Sequence, residues 1–420
     1  MSFYKLKELG SFKNGANFPK GSYGKGVPIV NVKDLFTRRY VDLSCLAELK
    51  EGAIKREEEY MVENDDILFS RSSLVQSGAG MCAIAHNIKT RILFCGFIIR
   101  FRVLRKEIVN PLFLLYLLRT PAYRKLFTGT QQTSIVNINQ DSLGDITVDL
   151  PSIDIQNSIV SVLKSIDDDN DNNYSICYDL EAMAKLLYDY WFVQYDYPDE
   201  NGKPYKSSGG KMVWNEQLKR EIPEGWIVLP LSNYLNCNQN TITPNNLGEY
   251  IAYLDTGSLT ENVIDQIQTI NRSEGLPSRA RRVVKENNIL YSTVRPIQEH
   301  YGIIKHPAEN MIASTGFAVL SAKQGSSYNE LFYLFITSEN NLRTLDAIAN
   351  NSVSSYPSIN PDDILNLKIA LPPDITCLKG LCGKLQNCYE MIDAKHKENK
   401  ELEQLRDFLL PMLMNGQVKA

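Results

Sequence analysis

The sequence is poor in the residues that build metal sites and disulfide frameworks. It has four histidines and eight cysteines in 420 residues, and no two cysteines form a Cys-x-x-Cys pair. These counts argue against a zinc cluster, and in a chain of this length they predict reduced, mostly buried thiols. No stretch approaches the roughly 18 uncharged apolar residues of a membrane helix, and residues 1–5 lack the apolar core of a signal peptide. The sequence therefore predicts a cytoplasmic protein with no metal site and no membrane partner.

An excess of either charge is also missing. Lysine and arginine total 45 and aspartate and glutamate total 49, which gives a net charge of −4. A role in nucleic-acid binding must then rest on local basic surfaces, or on a partner protein that completes a clamp around the phosphates. The hydrophobic fraction of 43% is ordinary for a globular protein, and the length predicts two to four domains.

Catalytic motifs are missing as well. Residues 371–374 and 360–363 are the nearest matches to the Asn/Asp-Pro-Pro-aromatic loop of adenine methyltransferases, and neither fits. No phosphate-binding Gly-x-x-x-x-Gly-Lys loop and no nucleophile elbow occur. The run Asp167-Asp168-Asp169 lacks the glycine and glutamate of a calcium loop, and is predicted to be a solvated helix face. The sequence favours a non-catalytic protein, with a DNA methyltransferase or nuclease as the less favoured alternative.

The sequence does contain a tandem repeat. Residues 138–151 recur 221 residues later as 359–372, and both copies begin with Ile-Asn-x-Asp and end with Leu-Pro. Residues 62–70 recur as 284–292 at an offset of 222, and Gly96-Phe97 recurs as Gly316-Phe317 at an offset of 220. Three blocks that agree within two residues predict a duplication.

Each copy is predicted to have two parts. About 150 residues of short apolar runs broken by Gly, Asn and Pro are typical of a mixed α and β domain, with helices at 111–127 and 328–349. After each Leu-Pro, apolar residues spaced by threes and fours predict a coiled-coil helix, from about 155 to 191 in the first copy. Two amphipathic helices that each pack on their own domain are the alternative. Residues 195–221, rich in Gly, Pro, Ser and Lys, are predicted to link the copies.

The predicted helix seams contain both apolar and polar positions. Asp169, Asn173 and Asn399 interrupt the apolar pattern near mid-length, where polar residues often set helix register. The apolar positions predicted for helix pairing and subunit docking are Ile159, Val162, Ile166, Leu180, Met183 and Leu187 in the first copy, and Leu378, Leu381, Leu385, Ile392 and Leu402 in the second.

Three further segments carry a resemblance to a known family. They are Leu-Tyr-Asp-Tyr-Trp-Phe-Val at 187–193, Ser-Ser-Gly-Gly at 207–210, and Ile-Pro-Glu-Gly-Trp at 222–226. In this order, together with the Leu-Pro before each long helix, they resemble the specificity (S) subunit of Type I restriction-modification systems. The resemblance spans the whole chain, although the first copy begins at Phe3 with no Ile-Pro-x-Gly-Trp before it.

The resemblance implies an α+β fold with two tandem-duplicated mixed α/β target recognition domains, residues 1–150 and 222–371. Two long helices at 151–194 and 372–416 would separate them and pair as an antiparallel coiled coil. Each domain would read one half of a bipartite, asymmetric double-stranded DNA target. The helices would set the gap and dock two methyltransferase subunits, to which restriction subunits that translocate DNA are added.

The resemblance also implies where the catalysis lies. S-adenosylmethionine, ATP and Mg are expected on the partner subunits, and no cofactor is expected on this chain. A non-catalytic protein-protein scaffold built from two like domains is the alternative function.

Candidate DNA contacts follow from the side chains that read DNA, which are mainly Arg, Lys, Asn and Gln. Arg71 and Arg295 are the leading candidates, because an arginine recurs in the aligned loop of each copy. Basic clusters are predicted to contact phosphates and so to set salt dependence, whereas surface ion pairs and turn formation are the alternatives. The full predicted set is Ser70, Arg71, Ser72, Gln76, Gln131 and Gln132, then Ser292, Arg295 and Gln298, with the clusters Arg38, Arg39, Arg279, Arg281 and Arg282.

Overall fold

The protein is described from a computed structural model that covers residues 2–36, 39–73, 78, 80–128, 136–242, 248–351 and 356–418. The chain forms two compact units. Unit 1 comprises residues 1–170 and 401–420, and unit 2 comprises residues 171–400. Each unit therefore contains part of both long helices, whereas the sequence analysis treated the helices as separate spacers.

Unit 1 is built on a four-stranded sheet of order β2-β9-β5-β7 and a three-stranded sheet of order β4-β3-β8, while β1 pairs with β11. Its elements are β1 (Ser2–Lys5), α1 (Leu6–Leu9), β2 (Gly10–Asn14), β3 (Gly26–Val30), β4 (Ala47–Lys50), β5 (Ile67–Ser70), β6 (Ser72–Ser73), β7 (Cys82–Ile84), β8 (Leu93–Phe94), β9 (Ile98–Val103), α2 (Pro111–Arg119), α3 (Pro121–Thr128), β10 (Val136–Asn137), α4 (Gln140–Gly144), β11 (Thr147–Leu150) and the first part of α5 (Ile153–Phe192).

Unit 2 repeats this plan, with sheets of order β15-β24-β21-β22 and β19-β16-β23-β20, and with β14 paired to β25. Its elements are β12 (Met212–Asn215), β13 (Arg220–Pro223), β14 (Ile227–Pro230), β15 (Leu235–Cys237), β16 (Tyr250–Leu254), β17 (Leu259–Thr260), β18 (Val263–Ile264), β19 (Gln268–Asn271), β20 (Ala280–Val283), β21 (Asn288–Ser292), β22 (Tyr301–Ile304), β23 (Met311–Ser314), β24 (Phe317–Ala322), α6 (Asn329–Ile336), α7 (Glu339–Asn350), α8 (Pro361–Leu365), β25 (Lys368–Leu371) and most of α9 (Lys379–Met414).

The strand registers confirm the duplication and correct one part of its alignment. Ser70 of β5 lies opposite Ile98 of β9, and Ser292 of β21 lies opposite Phe317 of β24. Phe317 therefore corresponds to Ile98, not to Phe97 as the repeated Gly-Phe pair suggested. Dipeptide identity misled here because both turns have two residues, but glycine is the first of them in unit 1 and the second in unit 2.

The helix predicted at 111–127 is two helices. Asn110 caps the first, and its side chain accepts hydrogen bonds from the amides of Leu112 and Phe113. Thr120 ends α2, and Pro121 begins α3, because proline lacks the amide that would continue the helix but suits a first turn. The repeat partner is divided in the same way into α6 and α7.

The segment predicted as a linker is folded. Strands β12 and β13 form a hairpin within and just after it. Tyr195 and Ile222 are buried in one small core with Ala370, against which Trp226 packs. Gly210 is required for this fold, since a Cβ there would lie 2.5 Å from the Tyr205 side chain. Residues 195–221 thus belong to the body of unit 2.

The two long helices are present and pack together. In unit 1, Ile159 and Leu163 of α5 share a hydrophobic core with Leu410 and Leu413 of α9. In unit 2, the thiol of Cys177 lies 3.8 Å from the carbonyl oxygen of Ile392. Early residues of α5 thus meet late residues of α9 in unit 1, and later residues of α5 meet earlier residues of α9 in unit 2, which is the expected antiparallel pairing.

Candidate nucleic-acid interface

The interior strands β5 and β21 carry the predicted DNA-reading loops at their ends. All residues of both strands are buried. The last residue of each, Ser70 or Ser292, is buried as well. The Ser292 hydroxyl donates to the Val294 carbonyl at 3.0 Å. Neither serine is open to DNA, and the first accessible positions come after the strands end.

Arg71 and Arg295 do not occupy equivalent positions. The amide of Arg71 donates to the carbonyl of Phe97 at 2.8 Å, and the amide of Thr293 donates to the carbonyl of Gly316 at the same distance. Thr293 is therefore the counterpart of Arg71, so the arginine recurs in the aligned loop but not at the same position. Arg295 lies two residues farther along the chain.

Arg295 is the more accessible of the two arginines. Its backbone is left-handed, with φ at 47°, a conformation that non-glycine residues adopt only when the surroundings hold it. Its amide donates to the carbonyl of Pro357 at 3.0 Å. The guanidinium carbon lies 5.7 Å from the centre of the Tyr356 ring, within cation–π range. Gln298 is exposed on the same loop.

Arg71 is half-buried, and its guanidinium lies near a backbone carbonyl group. Its guanidinium nitrogen lies 3.5 Å from the carbonyl oxygen of Gly96. This distance is at the limit of a hydrogen bond, so the side chain is only weakly held.

The basic cluster of unit 2 is partly accessible. Arg279 is exposed just before β20, and Arg281 and Arg282 are half-buried within it. The Arg281 guanidinium donates to the carbonyl of Ala280 at 2.8 Å, which satisfies one of its five donors. The remaining donors suit phosphate contacts.

Arg39 has a different environment from the one predicted. It is buried, and its guanidinium donates to the carboxylate of Asp167 at 3.3 Å. Arg406 of α9 donates to the same oxygen at 3.0 Å, and the Tyr116 hydroxyl donates to the other. Burial and the Asp167 charge raise the pKa of Tyr116, so this hydroxyl stays a donor.

This cluster corrects two expectations of the sequence analysis. Arg39 is neither a phosphate contact nor a solvated charge in this structure, and Asp167 is not on a solvated helix face. The signal that could have found the cluster is the position of Asp167 four residues after the buried Leu163, a spacing that places both side chains on one face of α5. Its partner Arg406 is too distant in sequence to be inferred from spacing.

Several predicted contacts fall where no side chain is described. Arg38, Gln76, Gln131 and Gln132 lie outside the described residues. For Ser72 the structure gives only the backbone, which pairs with Asn137 in the short ladder between β6 and β10.

The predicted helix seam is right for α9 and partly wrong for α5. Leu378, Leu381, Leu385 and Ile392 are buried, and Leu402 is half-buried. On α5, Ile159 and Ile166 are buried and Val162, Leu180 and Leu187 are half-buried, but Met183 and Asp169 are exposed. The observed buried residues of α5 are Gln156, Ile159, Leu163, Ile166, Asp167, Asn170, Asn173, Cys177, Ala184, Tyr188 and Phe192.

The spacing of these buried residues explains the errors. It follows the 3.6-residue period of a straight helix, whereas the prediction used the 3.5-residue heptad, and the two drift apart by about 20° per heptad. By the second half of α5 the buried position has moved from Met183 to the small residue Ala184, which gives no hydrophobic signal in the sequence.

Among the residues that the structure describes, no three His, Cys, Asp or Glu side chains are grouped so that they could hold a metal ion. No helix in the described ranges has the length and apolar character needed to span a membrane. All eight cysteines are free thiols.

The sequence is similar to those of several known proteins. The family model described as the Type I restriction modification DNA specificity domain matches residues 1–176. The chain is similar to Type I specificity subunits. The Type I restriction enzyme MjaIX specificity subunit of Methanocaldococcus jannaschii is 24% identical over 99% of this chain and 93% of its own length. The HindI specificity subunit of Haemophilus influenzae is 24% identical over 38% of this chain and 34% of its own.

A solved specificity subunit shares the fold. The crystal structure of a Type-I restriction-modification system S subunit from M. genitalium aligns with 98% of this chain and 95% of its own, at a TM-score of 0.54 and 14% identity. Together with the family match, this confirms the predicted resemblance to specificity subunits and the mixed α/β fold with paired long helices.

Proposed function

We propose that each compact unit reads one half of a bipartite, asymmetric DNA target. The observation that carries the proposal is a repeated framework with different side chains at its exposed ends. Where unit 1 has Arg71, unit 2 has Thr293, and Arg295 of unit 2 lies two positions farther on. Shared backbone geometry gives both units the same approach to a duplex, while different side chains give each a different base preference. Arg279, Arg281 and Arg282 would add phosphate contacts that carry no sequence information.

The long helices would set the distance between the two half-sites and dock methyltransferase subunits. Support comes from three apolar side chains that α5 exposes in unit 2, Tyr178, Met183 and Leu186, which are 73%, 45% and 64% exposed. None of them belongs to the buried line through Cys177 and Ala184. Exposed apolar side chains close together on one helix suit contact with a second protein surface. In a paired structure the helix length would then fix the gap in the target.

Catalysis would belong to the partner subunits. We infer that this chain contributes recognition and positioning alone, and that S-adenosylmethionine, ATP and Mg are held by the methyltransferase and restriction subunits. The chain would then direct methylation without performing it.

Methylation mapping tests the proposal. Adenine methylation would be mapped across a genome, at single-molecule resolution, in cells that express the neighbouring methyltransferase with and without this chain. We expect a split motif with a fixed gap that is methylated only when the chain is present. The absence of a motif despite an assembled complex would instead favour a protein-protein scaffold, and methyl transfer by the isolated chain would show an enzyme.

The Arg295→Ala variant refines this experiment. We expect it to relax base preference in one half of the motif and to leave the other half unchanged, because Arg295 belongs to unit 2 alone. Arg343→Ala is the matched control, since Arg343 is an exposed arginine of the same unit that pairs with Glu339 on α7. Loss of both halves in Arg295→Ala would show that the residue acts through folding or assembly.

A further inference from the structure

Each candidate DNA-reading arginine contacts an exposed aromatic residue, through the backbone in unit 1 and through the ring in unit 2. Phe97 in unit 1 and Tyr356 in unit 2 are both 64% exposed. Single exposed apolar side chains are common on protein surfaces. Two exposed aromatic residues that each contact a candidate arginine are a more specific observation.

In unit 1 the ring stands on a rigid turn. Phe97 lies between β8 and β9, and its carbonyl accepts the amide of Arg71 at 2.8 Å. Its neighbours Cys95 and Ile98 are buried. Gly96 allows the turn to pack closely, since a Cβ there would lie 2.0 Å from the amide oxygen of Asn17. The backbone is therefore held while the Phe97 ring points to solvent, an arrangement that core packing does not explain.

In unit 2 a different segment supplies the ring. The position equivalent to Phe97 is Gly316, which has no side chain. Tyr356 lies instead on the approach to α8, and the Arg295 guanidinium stands 5.7 Å from the centre of its ring. The neighbouring Ile297 is 58% exposed and enlarges the apolar surface. The two units thus place an exposed aromatic residue at a candidate arginine from unrelated positions in the fold.

We propose that Phe97 and Tyr356 contact DNA bases, each in its own half-site, by stacking on a base or inserting between base steps. This inference rests on the proposed function. The surface of a base is an aromatic face flanked by phosphates, and an exposed ring with a guanidinium beside it matches both parts. Side chains such as phenylalanine are used as wedges that kink or unstack a duplex. The rings would then add shape-dependent specificity to the base-edge contacts of Arg71 and Arg295.

The test uses the complex of the full chain with its methyltransferase subunits. Duplexes that carry the mapped target would contain 2-aminopurine at one base after another, so that fluorescence reports local stacking. The variants are Phe97→Leu and Tyr356→Leu, which keep an apolar side chain but remove the ring. Phe3→Leu and Tyr250→Leu are the matched controls, because Phe3 is 71% exposed in unit 1 and Tyr250 is 50% exposed in unit 2.

We expect each ring variant to bind the target roughly tenfold more weakly, the typical effect of losing one base–aromatic stack. The 2-aminopurine signal should change in one half-site for Phe97→Leu and in the other for Tyr356→Leu, while both controls behave as wild type. Wild-type affinity and an unchanged fluorescence profile in the ring variants would overturn the inference. So would a loss of subunit assembly on size-exclusion chromatography, which would assign the rings to a protein interface.

The outcomes separate this inference from the proposed function. If the wild-type complex methylates no split motif, the proposed function fails before the rings are tested. If the motif is present and the ring variants read it with unchanged affinity, only the inference on the rings fails.

Discussion

Units 1 and 2 hold the same two helices together by different chemistry. In unit 1 the helices meet around Asp167, which accepts from Arg406 of α9 at 3.0 Å and from Arg39 of the recognition domain at 3.3 Å. In unit 2 they meet around a neutral pair, in which the Asn173 amide donates to the Asn399 amide oxygen at 2.9 Å. Duplication has preserved the backbone plan, while the buried polar contacts have diverged.

Each unit nevertheless ties its recognition domain to the helices by buried charge. In unit 2 this is done by Lys305, which follows β22 and pairs with the buried Glu330 of α6. It also pairs with Glu390 of α9 at 3.2 Å. In both units a buried ion pair therefore links the mixed α/β domain to a long helix, but the residues that form the pair lie at different positions of the fold. Buried ion pairs add little net stability, but they favour one arrangement of the packed elements over others. This property suits a protein in which each domain must be held in one position on the helices.

Replacing Lys305 should have the largest effect on this comparison. Lys305→Met leaves the Glu330 carboxylate buried without its cation, and burial already raises the pKa of that group. We expect a loss of about 3–5 kcal/mol in the free energy of unfolding, measured by urea denaturation. The double variant Lys305→Met with Glu330→Gln should recover most of it. An equal loss in both variants would show that Lys305 acts by packing alone.

Replacing Asp167 tests the corresponding link in unit 1. Asp167→Leu leaves two arginines without their shared carboxylate, and we expect a loss of about 3 kcal/mol. The effect should be smaller than for Lys305, because the Arg406 side chain is 14% exposed and can reach water. Hydrogen exchange of the 401–414 peptides is the measurement.

The neighbouring aspartate is the matched control. Asp168 is exposed and pairs with Lys164 one turn earlier on α5, so Asp168→Leu should leave exchange of the same peptides unchanged. Equal effects at 167 and 168 would mean that the cluster around Asp167 does not hold α9.

These contacts show which parts of the structure the sequence could reveal. The repeat, the long helices and the α9 seam through Leu385 and Ile392 depend on local patterns, and pattern analysis found them. The pairing of Asp167 with Arg39 joins residues 128 apart, and that with Arg406 joins residues 239 apart. No periodicity encodes such a contact, so an aspartate in an acidic run was assigned to the solvent.

The candidate DNA site divides in the same way. A strand ending in serine and followed by an arginine within three residues is visible in both copies, and it located the loops. Which arginine corresponds to which residue depends on strand register, and a shift of one or two residues is beyond the accuracy of single-sequence alignment. The exposure of Phe97 was hidden for that reason, because the repeat alignment matched it with the buried Phe317.

Unit 2 also buries a carboxyl group of α5, that of Glu181, against its mixed α/β domain. The titration of Glu181 therefore adds a third contact to the comparison of the two units. Burial and the nearby charge of Glu261 raise the pKa of Glu181 from its usual 4.5 to about 7. A carboxyl group whose pKa is higher in the folded state loses stability as the pH rises from 4.5 through about 7. Glu181→Gln should therefore be more stable than wild type by about 1–3 kcal/mol at pH 8.

The pH dependence supplies its own control. The stability advantage of Glu181→Gln in urea denaturation should shrink as the pH falls and vanish below about 4.5. At that pH the Glu181 carboxyl group is neutral in both the folded and the unfolded wild type. A difference that is constant with pH would assign the effect to packing instead of charge.

The amide pair of unit 2 gives the smallest expected effect. Asn173→Leu leaves the Asn399 amide buried without its partner, at a cost of about 1–2 kcal/mol in the free energy of unfolding. Asn173→Leu together with Asn399→Leu should be close to wild type in urea denaturation, because an apolar pair then replaces the buried amide pair and leaves no amide without its partner. If single and double variants lose equal stability, the hydrogen bond does not contribute.

The same double variant tests whether register sets the gap in the target. A polar pair inside an apolar seam disfavours every helix alignment that would separate the two amides, and Leu at both positions removes that penalty. We therefore expect the methylated motif to admit gaps that differ by one base pair from the wild-type gap, while the free energy of unfolding is unchanged. Asp169→Leu is the contrasting variant: sequence spacing placed Asp169 in the seam, but the structure exposes it, so its gap should stay fixed. A relaxed gap in Asp169→Leu and a fixed gap in the double variant would contradict this expectation. The 3.5-residue heptad, and not the observed helix packing, would then describe how the helices set the gap.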